Sequence, residues 1–214
     1  MLMQRWSVNE YQTMPWKNGG GSTTELAIFP AGASLDNFIW RLSTAQVEVD
    51  GPFSSFPGID RTLAVLSGAG LILHTKAEQG TTPSGAVHLT QNTAPYCFAG
   101  ELAVTAELSA GSVSDLNMMT RRDVCTHTMQ KLLAGQHRIH AQDARQMLLY
   151  CVAGGARLTT PETAEEATGE AFSSDDLMLL NENRPASGIA LELTADEGAI
   201  LFLITLEFLD KGVD

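Results

Sequence analysis

Cysteine is scarce in this 214-residue sequence, and its placement excludes the structures that depend on it. Cys97, Cys125 and Cys151 are odd in number and widely spaced, and no two of them form a Cys-x-x-Cys pair. A disulfide framework needs an even set of cysteines, and a zinc ribbon needs closely spaced pairs. We therefore expect three reduced, buried thiols.

Basic residues are also few: 13 Lys and Arg stand against 25 Asp and Glu, which gives a formal net charge of −12. Such a charge repels nucleic acids and anionic membrane surfaces, so neither is an expected partner. The longest apolar stretch, residues 199–209, contains Glu207 and is far too short to span a bilayer. The first residues are not followed by an apolar segment of the signal-peptide kind, and we expect a cytoplasmic protein.

Motifs for metal binding or covalent catalysis are missing as well. Many small β-barrels bind a metal through three histidines and a glutamate, with two of the histidines spaced His-x-His. The five histidines here, His74, His88, His127, His137 and His140, include no such pair. The sequence also lacks a Gly-x-Ser-x-Gly motif and a recognisable Cys/His pair. We therefore predict neither a bound metal nor a cofactor.

The sequence does contain many short apolar runs separated by turn residues, which is typical of an all-β protein with little helix. The predicted strands are 23–29, 38–49, 62–66, 70–74, 86–89, 101–108, 139–141, 146–152, 156–159, 177–180, 189–193 and 199–206. Residues 111–120 show no alternation and begin with Gly-Ser, so we place the join between two halves there. The predicted halves are residues 1–112 and 113–214.

An internal similarity supports two halves. The segment 61–70, an arginine followed by alternating apolar residues and a closing glycine, recurs as 145–154, so Arg61 corresponds to Arg145 at an offset of 84 residues. A recurring strand, glycine turn and strand favours a duplicated small β-barrel over a single Greek-key sandwich. Chance similarity between alternating strands is the alternative.

A glycine-rich loop is the most informative local feature. Lys17 and Asn18 precede Gly19, Gly20 and Gly21, and a strand carrying Glu25 follows. Three adjacent glycines are costly in entropy, so they indicate either close backbone approach to a ligand or a tight turn before an edge strand. The loop is not a phosphate-binding P-loop, because its lysine comes before the glycines and a strand follows instead of a helix.

A second candidate is an arginine on an apolar strand face. In the strand 38–49, Arg41 and Ser43 share one face with apolar residues. A buried guanidinium needs a carboxylate or a ligand, and its fork suits bidentate carboxylate binding. Glu25 is a plausible partner, and a structural ion pair is the alternative to a ligand site.

Two further polar segments complete the candidates. In the loop 50–61, Phe53 and Phe56 could wall an apolar pocket or plug a barrel mouth, while Arg61 pairs with Asp60 or Asp50. The segment 115–122 is a polar cluster that either lines a site beside the glycine loop or solvates the connector.

Four ordered motifs together resemble the HutD/Ves family. They are Pro15-Trp16-Lys17-Asn18-Gly19-Gly20-Gly21-x-Thr23-x-Glu25, Trp40-Arg41-x-Ser43, Asp50-Gly51-Pro52-Phe53-Ser54-x-Phe56-Pro57-Gly58-x-Asp60-Arg61, and Gly111-x-x-x-Asp115-x-Asn117-x-Met119-x-Arg121-Arg122. The match is close over about the first 125 residues and extends beyond them only as a general β pattern.

This resemblance implies a bacterial bicupin, with two tandem RmlC-like cupin β-barrels (jelly rolls) in one compact unit. HutD members are associated with histidine utilisation, and Ves members are described as cold- and stress-inducible. The family carries no established enzymatic activity, and formate, N-formylglutamate or urocanate have been suggested as ligands, with a regulatory role. A homodimer is one option for the assembly.

We therefore expect a small-carboxylate-binding protein, with a metal-independent isomerase- or hydrolase-like enzyme as the alternative. The predicted ligand-binding residues are Lys17, Asn18, Gly19, Gly20, Gly21, Glu25, Arg41, Ser43, Phe53, Phe56, Arg61 and Asn117. Nearly all precede the predicted join, so we place the site in the N-terminal half. The glutamates of residues 161–170 form a solvated acidic loop in this interpretation, and no catalytic residue is assigned.

Overall fold

Strands account for nearly all the regular structure of the chain. The computed structural model describes residues 2–75, 85–140, 146–159, 169–181 and 190–209. Within these ranges the only helical turn is the 3-10 segment Val8–Glu10. No helix in this part of the chain has the length and apolar character that a membrane crossing requires. The prediction of an all-β protein is confirmed.

Seventeen strands lie in the described ranges. In chain order they are β1 Leu2–Trp6, β2 Gln12–Pro15, β3 Gly21–Phe29, β4 Trp40–Val47, β5 Gly51–Pro52, β6 Ile59–Ser67, β7 Leu71–Thr75, β8 Gly85–Leu89, β9 Tyr96–Ala99, β10 Val104–Leu108, β11 Val113–Arg121, β12 Cys125–His140, β13 Gln146–Ala153, β14 Gly155–Thr159, β15 Glu170–Ser173, β16 Leu177–Asn181 and β17 Ala190–Phe208.

The chain divides into two compact units whose bounds differ from the predicted halves. One unit comprises Tyr11–Thr126 with Leu209–Asp214, and the other comprises Met1–Glu10 with His127–Phe208. Most of the predicted join at 111–120 is strand β11, which pairs with β4 on one side and β6 on the other. The N-terminal strand β1 pairs with β16 and so belongs to the C-terminal unit.

The unit 11–126, which we call the N-terminal unit, contains two sheets. The larger has the order β2-β3-β4-β11-β6-β9, and the smaller has the order β5-β10-β7-β8. Leu63 and Val65 of β6 pack with Leu71 and Leu73 of β7 in one apolar cluster. This cluster joins the two sheets, and the part of the larger sheet around β4, β11 and β6 carries the polar residues of interest.

The other unit, residues 1–10 with 127–208, is called the C-terminal unit. It is built on a seven-stranded sheet with the order β1-β16-β13-β17-β14-β15, and β12 pairs with β17. The predicted succession of strand, glycine turn and strand is present at both places, as β6 and β7 and as β13 and β14. The two strands do not pair with each other in either case: β6 and β7 lie in different sheets, and β17 lies between β13 and β14. Gly70 and Gly154 have φ of 108° and 76° at the two turns. A side chain at either glycine would meet the backbone of a neighbouring strand. Arg145, the counterpart of Arg61, lies outside the described residues.

The cysteines depart in part from expectation. None of the three forms a disulfide, and Cys125 and Cys151 are buried, but Cys97 is exposed. Burial raises the pKa of the Cys151 thiol to about 11, and the nearby carboxylate of Asp176 acts in the same direction. The expectation of three buried thiols therefore holds for two of them.

Candidate functional site

A cavity of about 540 Å³ in the N-terminal unit collects most of the predicted site residues. The predicted residues that line it are Lys17, Asn18, Arg41, Ser43, Phe53, Phe56, Arg61 and Asn117. Gly19, Gly20, Gly21 and Glu25 are not part of its lining. The volume falls in the range typical of small-molecule sites.

Strand register brings the polar lining residues together. Met119 at the centre of the sheet lies opposite Arg41 on β4 and opposite Arg61 on β6. Two residues away along β11, Asn117 lies opposite Ser43. Side chains two residues apart on a strand point to the same face, so these groups share one side of the sheet. The result is a row with an arginine on either side of Met119.

Arg61 is a buried cation to which no carboxylate of the described residues is bonded. Its guanidinium carbon lies 5.0, 5.6 and 5.1 Å from the ring centroids of Phe53, Phe56 and Phe98. Its Nη1 donates one long hydrogen bond, 3.4 Å, to the Ser54 carbonyl oxygen, and its Nε has no hydrogen-bond partner in the described part of the chain. Burial lowers the pKa of Arg61 to about 10, and the rings supply cation–π contacts in place of an ion pair.

Arg41 is held by an ion pair, as the sequence predicted. Its Nε donates to Glu25 Oε2 at 2.7 Å, and its Nη1 donates to Ser43 Oγ at 3.3 Å. The Arg41 side chain is 7% exposed and that of Glu25 is 24% exposed. Arg41 therefore lines the cavity, as a ligand-binding residue would, and also forms the structural ion pair that was the alternative.

Asp115 is a buried carboxyl group in the same cavity wall. Neither its Oδ1 nor Oδ1 of Asn117 has a hydrogen-bond partner among the residues that the structure describes. Burial raises the pKa of Asp115 to about 7, against the opposing effect of Arg61. A carboxyl group in this state can act as an acid or a base near neutral pH.

The glycine loop shapes the site from outside the cavity. The Gly19 N–H donates to the Trp16 carbonyl oxygen at 3.0 Å, and the Gly20 N–H donates to Asn18 Oδ1 at 3.1 Å. Gly21 has φ 155°, and a side chain there would collide with the Gln46 carbonyl oxygen. The expectation that these backbone amides face a ligand is wrong for Gly19 and Gly20, because both amides are used within the turn that joins β2 to β3.

The expected partners of Arg61 are engaged elsewhere. Asp60 Oδ1 accepts a hydrogen bond from Arg122 Nε at 2.7 Å, and Asp50 Oδ1 accepts one from the Leu108 N–H at 2.7 Å. Residues next to each other on a strand face opposite sides, so Asp60 cannot follow Arg61 into the cavity. The predicted pairing of Arg61 with Asp60 or Asp50 is therefore wrong, and Arg61 lines the cavity without either carboxylate.

Several lining residues were not among the predicted site residues. Asp115 and Met119 were recognised only as members of a polar cluster, Trp16 and Thr23 only as members of the glycine-loop motif, and Leu35 was not singled out. The signal for Asp115 was present: with Asn117 and Met119 it forms an alternating set on a single strand face. Trp16, in the loop after β2, donates from Nε1 to Thr23 Oγ1 of β3 at 2.8 Å, a contact that periodicity does not reveal.

The described residues contain no group of three or more His, Cys, Asp or Glu side chains placed to hold a metal ion. The prediction of a metal-free protein stays a prediction. Elemental analysis of the purified protein tests it, and about one histidine-bound transition metal per chain that survives a chelator would contradict it.

Comparison with known proteins places the sequence in a family. The HutD family profile matches residues 8–202. Protein Ves of Citrobacter koseri is 36% identical over 124 residues, which are 58% of this chain and 60% of that protein. An uncharacterized 21.2 kDa protein in the hutC 3' region of Pseudomonas putida is 36% identical over 119 residues, 55% of this chain and 57% of that protein. Both alignments thus cover less than two thirds of the relatives' lengths.

Solved structures agree over nearly the whole chain. A conserved protein of unknown function from Pseudomonas aeruginosa PAO1 has a TM-score of 0.83 at 28% identity, covering 97% of this chain and all of that one. HutD from Pseudomonas fluorescens SBW25 has a TM-score of 0.78 at 29% identity, with the same coverage. A mutant of Bacillus subtilis oxalate decarboxylase, at 9% identity and a TM-score of 0.63 over 94% of this chain and 76% of that one, shows the cupin fold alone. The chain is therefore a bicupin that belongs to the HutD/Ves family.

Proposed function

We propose that this protein binds a small carboxylate in the cavity of its N-terminal unit. The observation that carries the proposal is Arg61: a cation that is 5% exposed, lines the cavity and has an unpaired Nε. A buried charge is costly unless it is paired, and the proteins that keep one commonly pair it with a ligand or a counter-charge. No carboxylate of the protein bonds to Arg61 among the described residues, so a ligand carboxylate fits that role.

The chemistry of the cavity favours a carboxylate over other anions of the same charge. A guanidinium presents parallel N–H donors that match the two oxygens of a carboxylate, and the neighbouring Ser43 hydroxyl adds a polar contact. The three phenylalanine rings around Arg61 exclude water and strengthen the interaction. Since the net charge of −12 repels anions at long range, this local site has to supply the affinity.

The size of the cavity and the names of the relatives narrow the range of candidate ligands. One structural relative, HutD from Pseudomonas fluorescens, was solved in a formate condition, and one sequence relative is described from the hutC 3' region. A cavity of about 540 Å³ has room for more than formate alone. We therefore propose formate, N-formylglutamate or urocanate as ligands, and a cytoplasmic, regulatory role in histidine utilisation or the stress response.

A thermal-shift screen followed by calorimetry tests this proposal. Formate, N-formylglutamate, urocanate and histidine are added to the wild type, because a ligand that binds only the native state raises its stability. Arg41→Ala and Arg41→Lys should both weaken carboxylate binding, Ala by about 1–3 kcal/mol, since the first removes the donors and the second keeps the charge but loses the fork. Equal affinity in all three folded proteins would reduce Arg41 to a structural residue.

The enzyme alternative is favoured by one observation, the Asp115 carboxyl. A group whose pKa lies near 7, in a cavity that also contains arginines, suits general acid or base catalysis. Incubating the protein with N-formylglutamate or urocanate and following both by NMR tests for turnover. Loss of turnover in Asp115→Asn, with ligand still bound, would favour the enzyme, and unchanged metabolites would favour the binding protein.

A further inference from the structure

The cavity contains a carboxyl group of its own beside the proposed carboxylate site. Asp115 lies on β11, the strand between those that carry Arg41 and Arg61, and its side chain lines the cavity. We propose that Asp115 meets the ligand carboxylate as a neutral carboxylic acid, so that binding takes up one proton from solvent whenever Asp115 is ionised in the free protein. The inference rests on the proposed function, because it concerns the same cavity.

The geometry leaves both partners of this arrangement incomplete. Asp115 is 2% exposed, and no described residue forms a hydrogen bond with its Oδ1. Arg61 Nε is also unpartnered, although the two groups influence each other electrostatically. A ligand carboxylate can accept a hydrogen bond from Arg61 and a second one from a protonated Asp115, which satisfies both buried groups at once.

The charged groups around Asp115 determine whether it can remain ionised when a ligand anion arrives. On the β4 side, Arg41 is already paired with Glu25 of β3. On the β6 side, no carboxylate of the described residues forms an ion pair with Arg61. Lys17, in the loop between β2 and β3, lines the cavity and is exposed. A bound ligand therefore places two carboxyl groups beside one unpaired buried guanidinium.

Two carboxylates cannot both stay ionised in a site of this kind. Like charges in a buried site raise the pKa of one group strongly, and a shared proton converts the repulsion into a hydrogen bond. Asp115 is the group to take up the proton, because burial already raises its pKa to about 7 before any ligand is present. The ligand's own carboxyl, held by Arg61, stays ionised.

Isothermal titration calorimetry with sodium formate as the probe measures the proton directly. Titrations at pH 6 and pH 8 are each run in two buffers of different ionisation enthalpy. We expect about one proton taken up per formate at pH 8 and nearly none at pH 6, where Asp115 is already protonated. The affinity should fall by up to about tenfold per pH unit above pH 7.

Asp115→Asn and Asp123→Asn serve as test and control. The asparagine cannot titrate, so Asp115→Asn should bind formate with no proton uptake at pH 8 and with the same affinity at both pH values. Asp123 is an exposed residue two positions beyond β11, and Asp123→Asn should behave as the wild type. If Asp115→Asn fails to fold, the wild-type proton count decides alone.

Two failures are distinguishable. Formate binding whose heat at pH 8 is independent of the buffer, with equal affinity at pH 6 and pH 8, overturns the proton coupling and leaves the carboxylate site standing. No binding of formate, N-formylglutamate or urocanate at either pH overturns the proposed function and the coupling with it.

Discussion

The two units differ in whether their buried charged groups are fully hydrogen-bonded within the described residues. In the N-terminal unit, Arg41, Arg61 and Asp115 are buried, and Arg61 and Asp115 keep atoms without partners. In the described part of the C-terminal unit, the one buried charged residue is Asp176. Its Oδ2 accepts hydrogen bonds from Arg5 Nη2 and from the Ser173 N–H, both at 2.6 Å.

This difference separates a structural charge from a functional one. The apolar cluster of the C-terminal unit is made of residues such as Leu149, Leu193 and Leu201, and Asp176 is satisfied by its own unit. A satisfied buried charge contributes to the fold, whereas an unsatisfied one lowers stability unless a ligand completes it. The predictions below test whether the two kinds of buried charge behave accordingly.

The largest expected effect is the loss of binding in Arg61→Met. Methionine fills a similar volume and packs well against aromatic rings, but it cannot donate to a carboxylate. We expect carboxylate affinity to fall by about 2–5 kcal/mol. The free energy of unfolding at pH 6, where Asp115 is neutral, should stay within about 1 kcal/mol of the wild type. Calorimetry and urea denaturation measure the two quantities.

Arg157→Met provides the matched control, because Arg157 is an exposed arginine of the C-terminal unit. Its variant should bind as the wild type does. Full affinity in folded Arg61→Met would show that the unpaired guanidinium is not the anion site, and the contrast between the two units would lose its functional meaning.

A smaller effect is expected in the pH dependence of stability. The folded-state pKa of Asp115 is raised above its unfolded value, so its contribution is fully present below about pH 4 and is lost as the pH rises through about 7. The slope reaches about 1.4 kcal/mol per pH unit, which amounts to roughly 2–3 kcal/mol between pH 5 and pH 8. Urea denaturation across this range measures the change.

Asp115→Asn isolates this contribution from the histidines, which titrate in both proteins. The difference between wild type and Asp115→Asn should change with pH in the stated direction. A difference that stays constant from pH 5 to pH 8 would mean that Asp115 is ionised throughout, and would contradict the assignment of a neutral acid in the free cavity.

The corresponding change in the C-terminal unit is Asp176→Ala. It removes the acceptor for Arg5 and for the Ser173 amide, and it should cost about 1–3 kcal/mol of stability without changing carboxylate affinity. The half-exposed Arg5 contributes the smaller share, since water screens its charge. Glu197→Ala, at an exposed position of β17, is the control and should leave stability unchanged. Weakened ligand binding in folded Asp176→Ala would contradict the contrast between the units.

Local patterns predicted the strands but not all of their bounds or partners. Strand β11 was interpreted as a join because its two faces are both buried: Leu116 and Met118 lie on one face and Asp115 on the other. Polar residues of β11 line the cavity, and its alternation is short, so the segment was interpreted as a polar connector. The single strand β17 was predicted as two strands, 189–193 and 199–206; Gly198, between the two predicted strands, has the positive φ of a turn residue. The pairing of β1 with β16 joins distant segments and leaves no local signal.

The site was predictable where one strand or one loop carried its chemistry. Arg41, Ser43 and Glu25 follow from the alternation of β3 and β4, and their contacts match the prediction. The environment of Arg61 depends on Arg122, which binds Asp60, and on three rings from two segments, the loop after β5 and strand β9. Contacts of that kind arise from packing between strands, so a sequence pattern could not assign them.

The smallest effect is expected for Glu165→Ala combined with Glu166→Ala. These residues belong to the acidic stretch 161–170, most of which lies outside the described residues, so the prediction rests on the sequence alone. An anionic ligand gains nothing from glutamates, and their screened charges act only weakly beyond about 8–10 Å in physiological salt. Formate affinity should therefore stay within about twofold of the wild type, the size of effect that exposed charges usually have. A folded double variant that no longer binds would place part of the site in the C-terminal unit, and the division of labour between the units would be wrong.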